Sequence, residues 1–176
     1  MSDPILRAAT AADIPTITAI YRPAVLTGTA SFEIEPPGET EMARRMGALR
    51  DAGYPYLVAE LEGRVAGYAY ASAFRARPAY RFCIEDSIYV APDAQGLGLG
   101  RHLLARLIDE ATNQGFRQMI AVIGDSANVA SIGVHRAAGF TPAGTLRSIG
   151  FKFDRWLDIV MMQRALADGD ASLPSA

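Results

Sequence analysis

A glycine-rich segment in the middle of the chain, at residues 95–101, is the pattern with the clearest chemical meaning. It directly follows a strand-like run and opens a helix-like one. Glycines let the backbone approach a ligand closely, and the first amides of a helix carry positive potential. The segment therefore predicts a cradle of main-chain N–H groups for a phosphate or diphosphate. The residues assigned to this cradle are Gln95, Gly96, Leu97, Gly98, Leu99, Gly100 and Arg101.

The spacing excludes two better-known glycine loops. The dinucleotide fingerprint G-x-G-x-x-G does not fit glycines that alternate, and it belongs to a first strand–helix unit, whereas this loop lies mid-chain. A P-loop would continue with Gly-Lys-Ser/Thr, but Arg101 follows the last glycine. A plain tight turn between strand and helix is the remaining alternative. Three glycines within five positions favour a ligand loop over it.

The composition indicates a soluble globular domain. Of the 176 residues, 50% are hydrophobic and 20% are charged, and the formal net charge is −2. Such a charge gives no general attraction to nucleic acids or anionic membranes. One cysteine, Cys83, and two histidines, His102 and His135, are too few for a metal cluster, so no metal is expected. With no bilayer-spanning run and no signal-peptide pattern, the expected location is the cytoplasm.

Strand-like and helix-like runs alternate along the chain, which predicts a mixed α/β sheet with helices on both faces. Strands are predicted at residues 5–8, 56–61, 64–70, 82–90 and 118–123, and within 151–163 as one strand or two joined by a turn. Helices are predicted after a capping box of Thr10 and Asp13, and at residues 39–52, about 101–114 and 126–138. Pro23 is expected to interrupt the first helix. The domain is predicted to span residues 1–167, followed by a flexible tail at 168–176.

The glycine segment resembles the loop of the GNAT superfamily of N-acetyltransferases. Gln95-x-x-Gly98-x-Gly100 matches that superfamily's Q/R-x-x-G-x-G/A signature, which binds the diphosphate of acetyl-CoA. The resemblance implies acetyl-CoA as the co-substrate. It also implies the GNAT fold, a mixed, mostly antiparallel central sheet of six to seven strands with helices on both faces.

Four further segments resemble the phosphinothricin and methionine sulfoximine N-acetyltransferases within that superfamily. They are Ser-Phe-Glu at 31–33, Arg-Pro-Ala-Tyr at 77–80, Glu-Asp-Ser-Ile-Tyr-Val at 85–90, and Gly-Phe-Lys-Phe-Asp-Arg-Trp-Leu-Asp at 150–158. The resemblance implies that the acceptor is the amino group of a small amino-acid-like molecule. It also implies a homodimer with the substrate site near the partner chain.

Glu85 is the candidate general base, because an ammonium must lose a proton before it can attack a thioester. It lies on the strand that leads into the loop, where the resemblance places the subgroup's catalytic glutamate. An exposed strand residue paired with an arginine is the alternative. Asp86 is expected to point to the other face of the strand and is ranked below Glu85. The resemblance assigns the main-chain N–H groups of Ile88, Tyr89 and Val90 to the acetyl carbonyl and its oxyanion.

The run Asn128-x-x-Ser131-x-x-x-His135 resembles the superfamily's N-x-x-A-x-x-x-Y helix. His135 occupies the position of a tyrosine that protonates the departing CoA thiolate, and imidazolium is also a proton donor. A packed or solvent-facing histidine is the alternative. Asn128 and Ser131 are assigned to the coenzyme, with a helix N-cap as the alternative for Asn128.

Basic and aromatic residues are the candidates for acceptor binding, because arginine forks suit carboxylate and phosphinate oxygens. The residues assigned to the acceptor are Phe32, Glu33, Arg77, Tyr80, Lys152 and Trp156. Two other functions remain open from the sequence. One is acetylation of a different amine, such as a polyamine, an aminoglycoside or a protein N-terminus, and the other is a non-catalytic acyl-CoA-binding sensor.

Overall fold

The computed structural model describes residues 3–174, and these contain seven strands and four α-helices. The strands are β1 (Ile5–Ala8), β2 (Tyr56–Leu61), β3 (Arg64–Ala73), β4 (Cys83–Val90), β5 (Gln118–Gly124), β6 (Thr141–Lys152) and β7 (Arg155–Ala165). The helices are α1 (Ile14–Leu26), α2 (Glu39–Asp51), α3 (Leu99–Asn113) and α4 (Val129–Ala137). Short 3₁₀ turns lie at Ala11–Asp13, Pro78–Tyr80 and Pro92–Ala94.

The strands form one sheet in the order β1-β2-β3-β4-β5-β7-β6. The neighbours β4 and β5 run parallel, and the other described neighbours run antiparallel. This confirms the prediction of a mixed, mostly antiparallel sheet of six to seven strands. The β4–β5 pairing runs from Cys83 opposite Gln118 to Asp86 opposite Ala121 and then stops, although both strands continue. The sheet therefore opens between the carboxyl-terminal halves of β4 and β5.

Helices cover both faces of the sheet, as predicted. On one face, the ring of Tyr21 in α1 contacts Tyr89 in β4 edge-on, with ring centres 4.8 Å apart. On the other face, Leu103 of α3 packs against β3, where a Cβ on Gly67 would lie 3.1 Å from its side chain. Residues at successive positions in β4 point to opposite faces, so each helix pair covers its own set of side chains.

The capping box predicted for Thr10 and Asp13 is present, and it opens a 3₁₀ turn that leads into α1. The expectation that Pro23 interrupts this helix is wrong, because α1 continues to Leu26. Pro23 lies in the last turn, so the helix continues for only three residues after it. The N–H groups of Thr27 and Gly28 both donate to the Pro23 carbonyl, which closes the helix end.

The last part of the chain forms a longer hairpin than the sequence predicts. Two strands lie there, joined at Phe153 and Asp154, so the alternative with a turn is confirmed. The first of them, β6, begins at Thr141, ten residues before the predicted start. Nearly every position in β6 is exposed, so the strand lacks the alternating buried residues on which the sequence reading depends.

The predicted tail is tied to the domain as far as the structure describes it. Arg117 donates to the carbonyls of Ser172 and Leu173 and to the Ser172 hydroxyl. The remainder of the predicted tail, residues 175–176, lies outside the described residues.

Candidate active site

The gap between β4 and β5 forms a cleft lined by main-chain donors. The N–H of Ala91 donates to the Ala66 carbonyl at 2.9 Å, so the main-chain N–H and C=O groups of the odd-numbered residues in β4 point toward β3. Because N–H groups alternate between the two edges of a strand, those of Ile88 and Val90 face the opened edge. Two of the three amides assigned to the acetyl group therefore point into the cleft, and that of Tyr89 points away from it.

The glycine segment adopts the conformation that a cradle requires. Gly96 and Gly98 have φ values of +78° and +82°, where other residues are strained. Helix α3 begins at Leu99, two residues before the predicted start, with Gly98 as its N-cap. The first N–H groups of a helix have no intrahelical acceptor, so those of Leu99 and Gly100 are available to an anion.

Two neighbouring cavities lie at the gap, and the outer one reaches the loop at Gln95. The outer one, of about 570 Å³, is lined by Gln95, Pro92, residues 27–30 and the ion pair of Arg155 with Asp125. The inner one is narrow, about 60 Å³, and ends at Asp86 and His135. Both are lined by Ala30, Ile88, Tyr89 and Asn128. The shape is that of a wide entrance that leads to a thin channel between the strands.

His135 forms a buried pair with Asp86 at the inner end of the cleft. Its Nε2 lies 2.9 Å from Asp86 Oδ2, and its Nδ1 lies 2.7 Å from the Ser131 carbonyl oxygen. Since that carbonyl can only accept, Nδ1 carries a proton, and a second proton lies in the hydrogen bond between Nε2 and the Asp86 carboxyl. Burial lowers the pKa of His135, but the Asp86 carboxylate and the Ser131 carbonyl raise it above its ordinary value.

These contacts place the Asp86 side chain at the inner end of the cleft. The sequence correctly placed it on the opposite face of β4 from Glu85, but that face is the one that carries the coenzyme-side cleft. The alternation of side chains along β4 could have predicted this placement, because Asp86 shares a face of the strand with Ile88 and Val90. The sequence ranked Asp86 below Glu85, and the structure places the Asp86 side chain at the inner cavity.

Glu85 lies on the other face of β4 and is half-buried. Its cross-strand neighbour is Ser72, and Ser87, two residues on, is opposite Tyr70. Burial raises the pKa of Glu85, the nearby Asp86 raises it further, and Arg75 partly offsets both. A carboxyl with a raised pKa is a better proton acceptor, as a general base requires.

A tyrosine-lined pocket of about 340 Å³ lies on the Glu85 face, beneath α2. Its lining includes Tyr21, Arg45, Tyr56, Tyr68, Tyr70 and Ser72. Sequence reasoning missed this pocket. The alternation of Tyr68 and Tyr70 in β3 placed two rings on one face, but only the fold brought Tyr21 and Arg45 from the helices to them.

Phe32 and Lys152 hold the loop that joins α1 to α2 against the sheet. Lys152 is buried, and its Nζ donates to the carbonyls of Gly28 at 2.9 Å and Ser31 at 2.7 Å. The Phe32 ring fills a slot between two glycines, since a Cβ on Gly124 would lie 2.7 Å from the ring and one on Gly150 would overlap it. Both residues were assigned to the acceptor, and their contacts give them a role in fixing this loop.

Glu33, in the same loop, is held by charged and hydroxyl partners. It accepts hydrogen bonds from Arg45 at 2.6 Å and from Tyr21 at 2.8 Å. Burial raises the pKa of Glu33, but these donors bring it below its ordinary value. The ion pair lies at the edge of the tyrosine-lined pocket, so Glu33 shapes the side of the sheet on which Glu85 lies.

The remaining acceptor candidates are exposed. Arg77 caps the 3₁₀ turn at 78–80, and the ring of Tyr80 contacts Phe74 edge-on. Trp156 is 64% exposed and packs on its cross-strand neighbour Phe151. The structure does not bring these residues together with Glu85 through any described hydrogen bond, so their acceptor role stays a prediction.

Asn128 caps α4 as the sequence alternative proposed. Its Oδ1 accepts the Ser131 N–H at 3.2 Å, and its amide donates to the Gly124 carbonyl. Helix α4 therefore begins at Val129, three residues after the predicted start. Asn128 and Ser131 both line the inner cavity, so the cap also forms a wall of the cleft.

Within residues 3–174, no group of three or more His, Cys, Asp or Glu side chains is arranged to hold a metal ion. In the same range, no helix has the length and hydrophobicity needed to cross a membrane.

Comparison with known proteins gives consistent matches over most of the chain. Residues 17–140 match the sequence profile of the acetyltransferase (GNAT) family. A phosphinothricin N-acetyltransferase of Alcaligenes faecalis is 57% identical over 162 residues, which cover 92% of this chain and 82% of that protein. An L-methionine sulfoximine/L-methionine sulfone acetyltransferase of Salmonella typhimurium LT2 is 42% identical over 161 residues, covering 92% and 94% of the two chains.

The fold matches a solved structure that contains the coenzyme. The crystal structure of a phosphinothricin acetyltransferase from Sinorhizobium meliloti in complex with acetyl-CoA has a TM-score of 0.96 to this chain. The two are 52% identical, and the match covers 99% of this chain and 94% of the other. The open strand edge, the anion-binding loop and the narrow inner channel of this chain fit a ligand with a diphosphate and a thin arm.

Proposed function

The chain belongs to the acetyltransferase (GNAT) family, and we propose that it transfers the acetyl group of acetyl-CoA to an amino group. The acceptor is a small amino-acid-like molecule of the phosphinothricin, methionine sulfoximine or methionine sulfone type. The single observation that carries this proposal is the gap between β4 and β5, with an anion cradle at its mouth and Glu85 on the opposite face of β4. The identity to relatives that bear these names supports the acceptor class.

The residues that would hold the coenzyme lie along one path. The cradle from Gln95 to Arg101 binds the diphosphate through main-chain N–H groups. The amides of Ile88 and Val90 offer donors along the arm and to the acyl oxygen, where electrostatic stabilisation is most effective. Bound acetyl-CoA supplies an activated acyl group as a thioester.

Glu85 takes the proton from the acceptor amine. Its side chain projects from the face of β4 opposite to the coenzyme-side pair, so base and coenzyme approach the reacting carbon from two sides of one strand. The raised pKa makes the carboxylate of Glu85 more basic than an exposed one. The tyrosine-lined pocket on this face offers hydroxyl groups and the edge of the Arg45–Glu33 pair to the acceptor's polar groups.

His135 has no free ring N–H for the departing thiolate. Its Nδ1 donates to the Ser131 carbonyl, and its Nε2 is hydrogen-bonded to the Asp86 carboxyl. Direct proton donation, as expected from the sequence, requires that its bond to Asp86 opens first. Because a thiol has a much lower pKa than an alcohol, a thiolate leaves near neutral pH with little assistance.

The exposed apolar side chains of the β6–β7 hairpin support the expected homodimer. They are Leu146, Ile149, Phe151, Phe153 and Trp156. Clustered exposed apolar residues of this kind are typical of surfaces that bind a partner. A second chain packed on this hairpin would cover them.

A screen of purified protein against candidate acceptors tests the function. Methionine sulfoximine, methionine sulfone and phosphinothricin are each mixed with acetyl-CoA. CoA release is followed with a thiol reagent, and mass spectrometry detects the mass that one acetyl group adds to the acceptor, about 42 Da. Spermidine, an aminoglycoside and a peptide with a free N-terminus are the comparison acceptors. We expect turnover with the amino-acid-like group.

Turnover confined to the comparison acceptors would reassign the substrate class. Binding of acetyl-CoA with no acetylated product from any amine would favour the non-catalytic sensor.

A further inference from the structure

One carboxylate oxygen at the inner end of the cleft has no hydrogen-bond donor. The side chain of Asp86 is only 2% exposed, and its Oδ2 accepts from His135. Its Oδ1 is buried and has no partner within the part of the chain that the structure describes. A buried carboxylate oxygen that lacks a donor is costly, and such atoms are rare in folded proteins.

The position of Asp86 shows where a donor can come from. It is the last residue of β4 that pairs with β5, so its side chain lies where the two strands separate. It lines the inner cavity together with Ile88, Asn128 and Val122. At about 60 Å³ this cavity is too narrow for a ring system and suits a thin chain or a water molecule.

The charge of the pair is already balanced within the protein. With a proton on Nδ1 and one proton between Nε2 and Asp86 Oδ2, the pair carries no net charge. Asp86 Oδ1 therefore still needs a hydrogen-bond donor, but it does not need a second cation. The pantetheine arm of CoA offers such donors, since it contains two amide N–H groups and, in the free coenzyme, a terminal thiol.

We propose that Asp86 binds the coenzyme, with Oδ1 accepting a hydrogen bond from the pantetheine arm while Oδ2 holds His135 in place. The inference rests on the proposed acetyl-CoA-dependent activity, and it adds to the coenzyme site a residue that the sequence analysis ranked below Glu85. It also explains why an aspartate at the inner end of the cleft keeps one oxygen free of protein donors.

Binding measurements on Asp86→Asn test the proposal. Asparagine keeps the size of the side chain, but when its oxygen accepts from His135 its amide group presents a donor to the arm. Dissociation constants are measured by calorimetry for acetyl-CoA, for CoA and for 3′-phospho-ADP, which has the phosphates but no arm. We expect binding of the first two to weaken by about tenfold or more, and binding of 3′-phospho-ADP to stay unchanged.

Asp109→Asn, on the exposed side of α3, is the matched control because it changes the net charge equally. We expect it to leave all three constants unchanged. A loss by Asp86→Asn for CoA alone assigns the donor to the thiol, and a loss for both thioester and thiol assigns it to an amide. Either result supports the proposal.

Equal constants for Asp86→Asn and the wild type with all three ligands would overturn the inference, because water would then serve Oδ1. An equal loss for all three ligands would also overturn it, since the substitution would have distorted the whole site. If the wild-type protein bound neither CoA nor acetyl-CoA, the acetyl-CoA-dependent function itself would fall.

Discussion

At the residue scale, the two-residue period of β4 separates two neighbouring carboxylates that have different chemistry. Glu85 is half-buried on the face that carries the tyrosine-lined pocket, and its pKa is raised by burial. Asp86 is fully enclosed on the other face and is paired with His135. One strand therefore presents a half-buried carboxyl on one side and a buried Asp–His pair on the other.

The base role of Glu85 predicts a large loss of rate in Glu85→Gln. Because glutamine cannot accept the ammonium proton, we expect kcat/KM to fall by about 10²–10⁴-fold with acetyl-CoA binding unchanged. In the wild type the rate should fall as the pH drops through the pKa of Glu85, which burial raises above 4.5. Steady-state kinetics across pH measure both effects.

Glu110→Gln on α3 is the control and should keep the wild-type rate. A Glu85→Gln enzyme with the wild-type rate and the same acidic limb would remove Glu85 from the mechanism.

The ion pair between Arg7 and Asp13 predicts a pH-dependent stability. Hydrogen bonds from Arg7 lower the pKa of Asp13 from 3.8 to about 2, so the folded state holds this carboxyl ionised more strongly than the unfolded state. Its contribution is complete above the unfolded pKa and is lost as the pH falls from about 4 to about 2. Asp13→Asn should lower the free energy of unfolding by about 1–2 kcal/mol at pH 7.

Urea unfolding at pH 7 and at pH 3 measures this difference, and we expect it to shrink at the lower pH. The exposed Asp51→Asn serves as the comparison. A gap of equal size at both pH values would argue against the ion pair as its source.

At the element scale, the loop between α1 and α2 is fixed from three sides. Lys152 holds its carbonyls, a glycine slot holds the Phe32 ring, and Arg45 holds Glu33. Ala30 in this loop lines both cavities of the cleft, and Glu33 in the same loop pairs with Arg45, which lines the tyrosine-lined pocket. The loop therefore borders both sides of the sheet.

Removing the lysine should loosen this loop. Lys152→Met leaves the carbonyls of Gly28 and Ser31 without their charged donor, so we expect the free energy of unfolding to fall by about 2 kcal/mol. We also expect the KM for the acceptor to rise more than the KM for acetyl-CoA, and proteolytic cleavage within residues 27–37 to become faster. Urea unfolding, kinetics and timed proteolysis measure these effects.

Arg147→Met, on the exposed part of β6, is the matched loss of a cation and should change none of them. Unaltered cleavage of the loop in Lys152→Met would show that the lysine does not hold it.

The coenzyme cradle predicts opposite results for two glycine substitutions. Gly98 has a φ of +82°, so Gly98→Ala strains the loop and should turn its amides away from the diphosphate. We expect acetyl-CoA to bind at least about tenfold more weakly by calorimetry. Gly47→Ala, in the interior of α2 with open space around the added Cβ, should instead stabilise the protein by about 0.5–1 kcal/mol.

Thermal unfolding of both variants completes the comparison. Normal acetyl-CoA binding by Gly98→Ala would mean that the loop conformation does not matter for the coenzyme.

At the scale of the whole molecule, the opening of the sheet creates a site with two approaches. Strand β4 lies between the cleft, which α4 borders, and the pocket beneath α1 and α2. The long β6–β7 hairpin adds an exposed apolar surface at one edge of the sheet.

That surface predicts a dimer in solution. Analytical ultracentrifugation of the wild type should give twice the mass of one chain at micromolar concentration. Ile149→Glu in the hairpin should shift the equilibrium to single chains, because it places a charge on the apolar surface. Leu173→Glu changes another exposed apolar residue, which is bound through its carbonyl to Arg117 near the Ala165 end of β7, away from the hairpin turn, and it should leave the dimer intact. A monomeric wild type at high concentration would contradict this prediction.

The sequence by itself determined the strand–loop–helix unit around residues 95–101, the capping box and the alternation along β4, because each depends on neighbours within a few residues. Only the tertiary structure decided that β4 and β5 part after Asp86, that this residue meets His135, and that Lys152 anchors a loop more than a hundred residues earlier in the chain. Such contacts depend on how strands pair and where helices pack. A local pattern therefore identifies the chemical groups, and the long-range packing decides which of them meet.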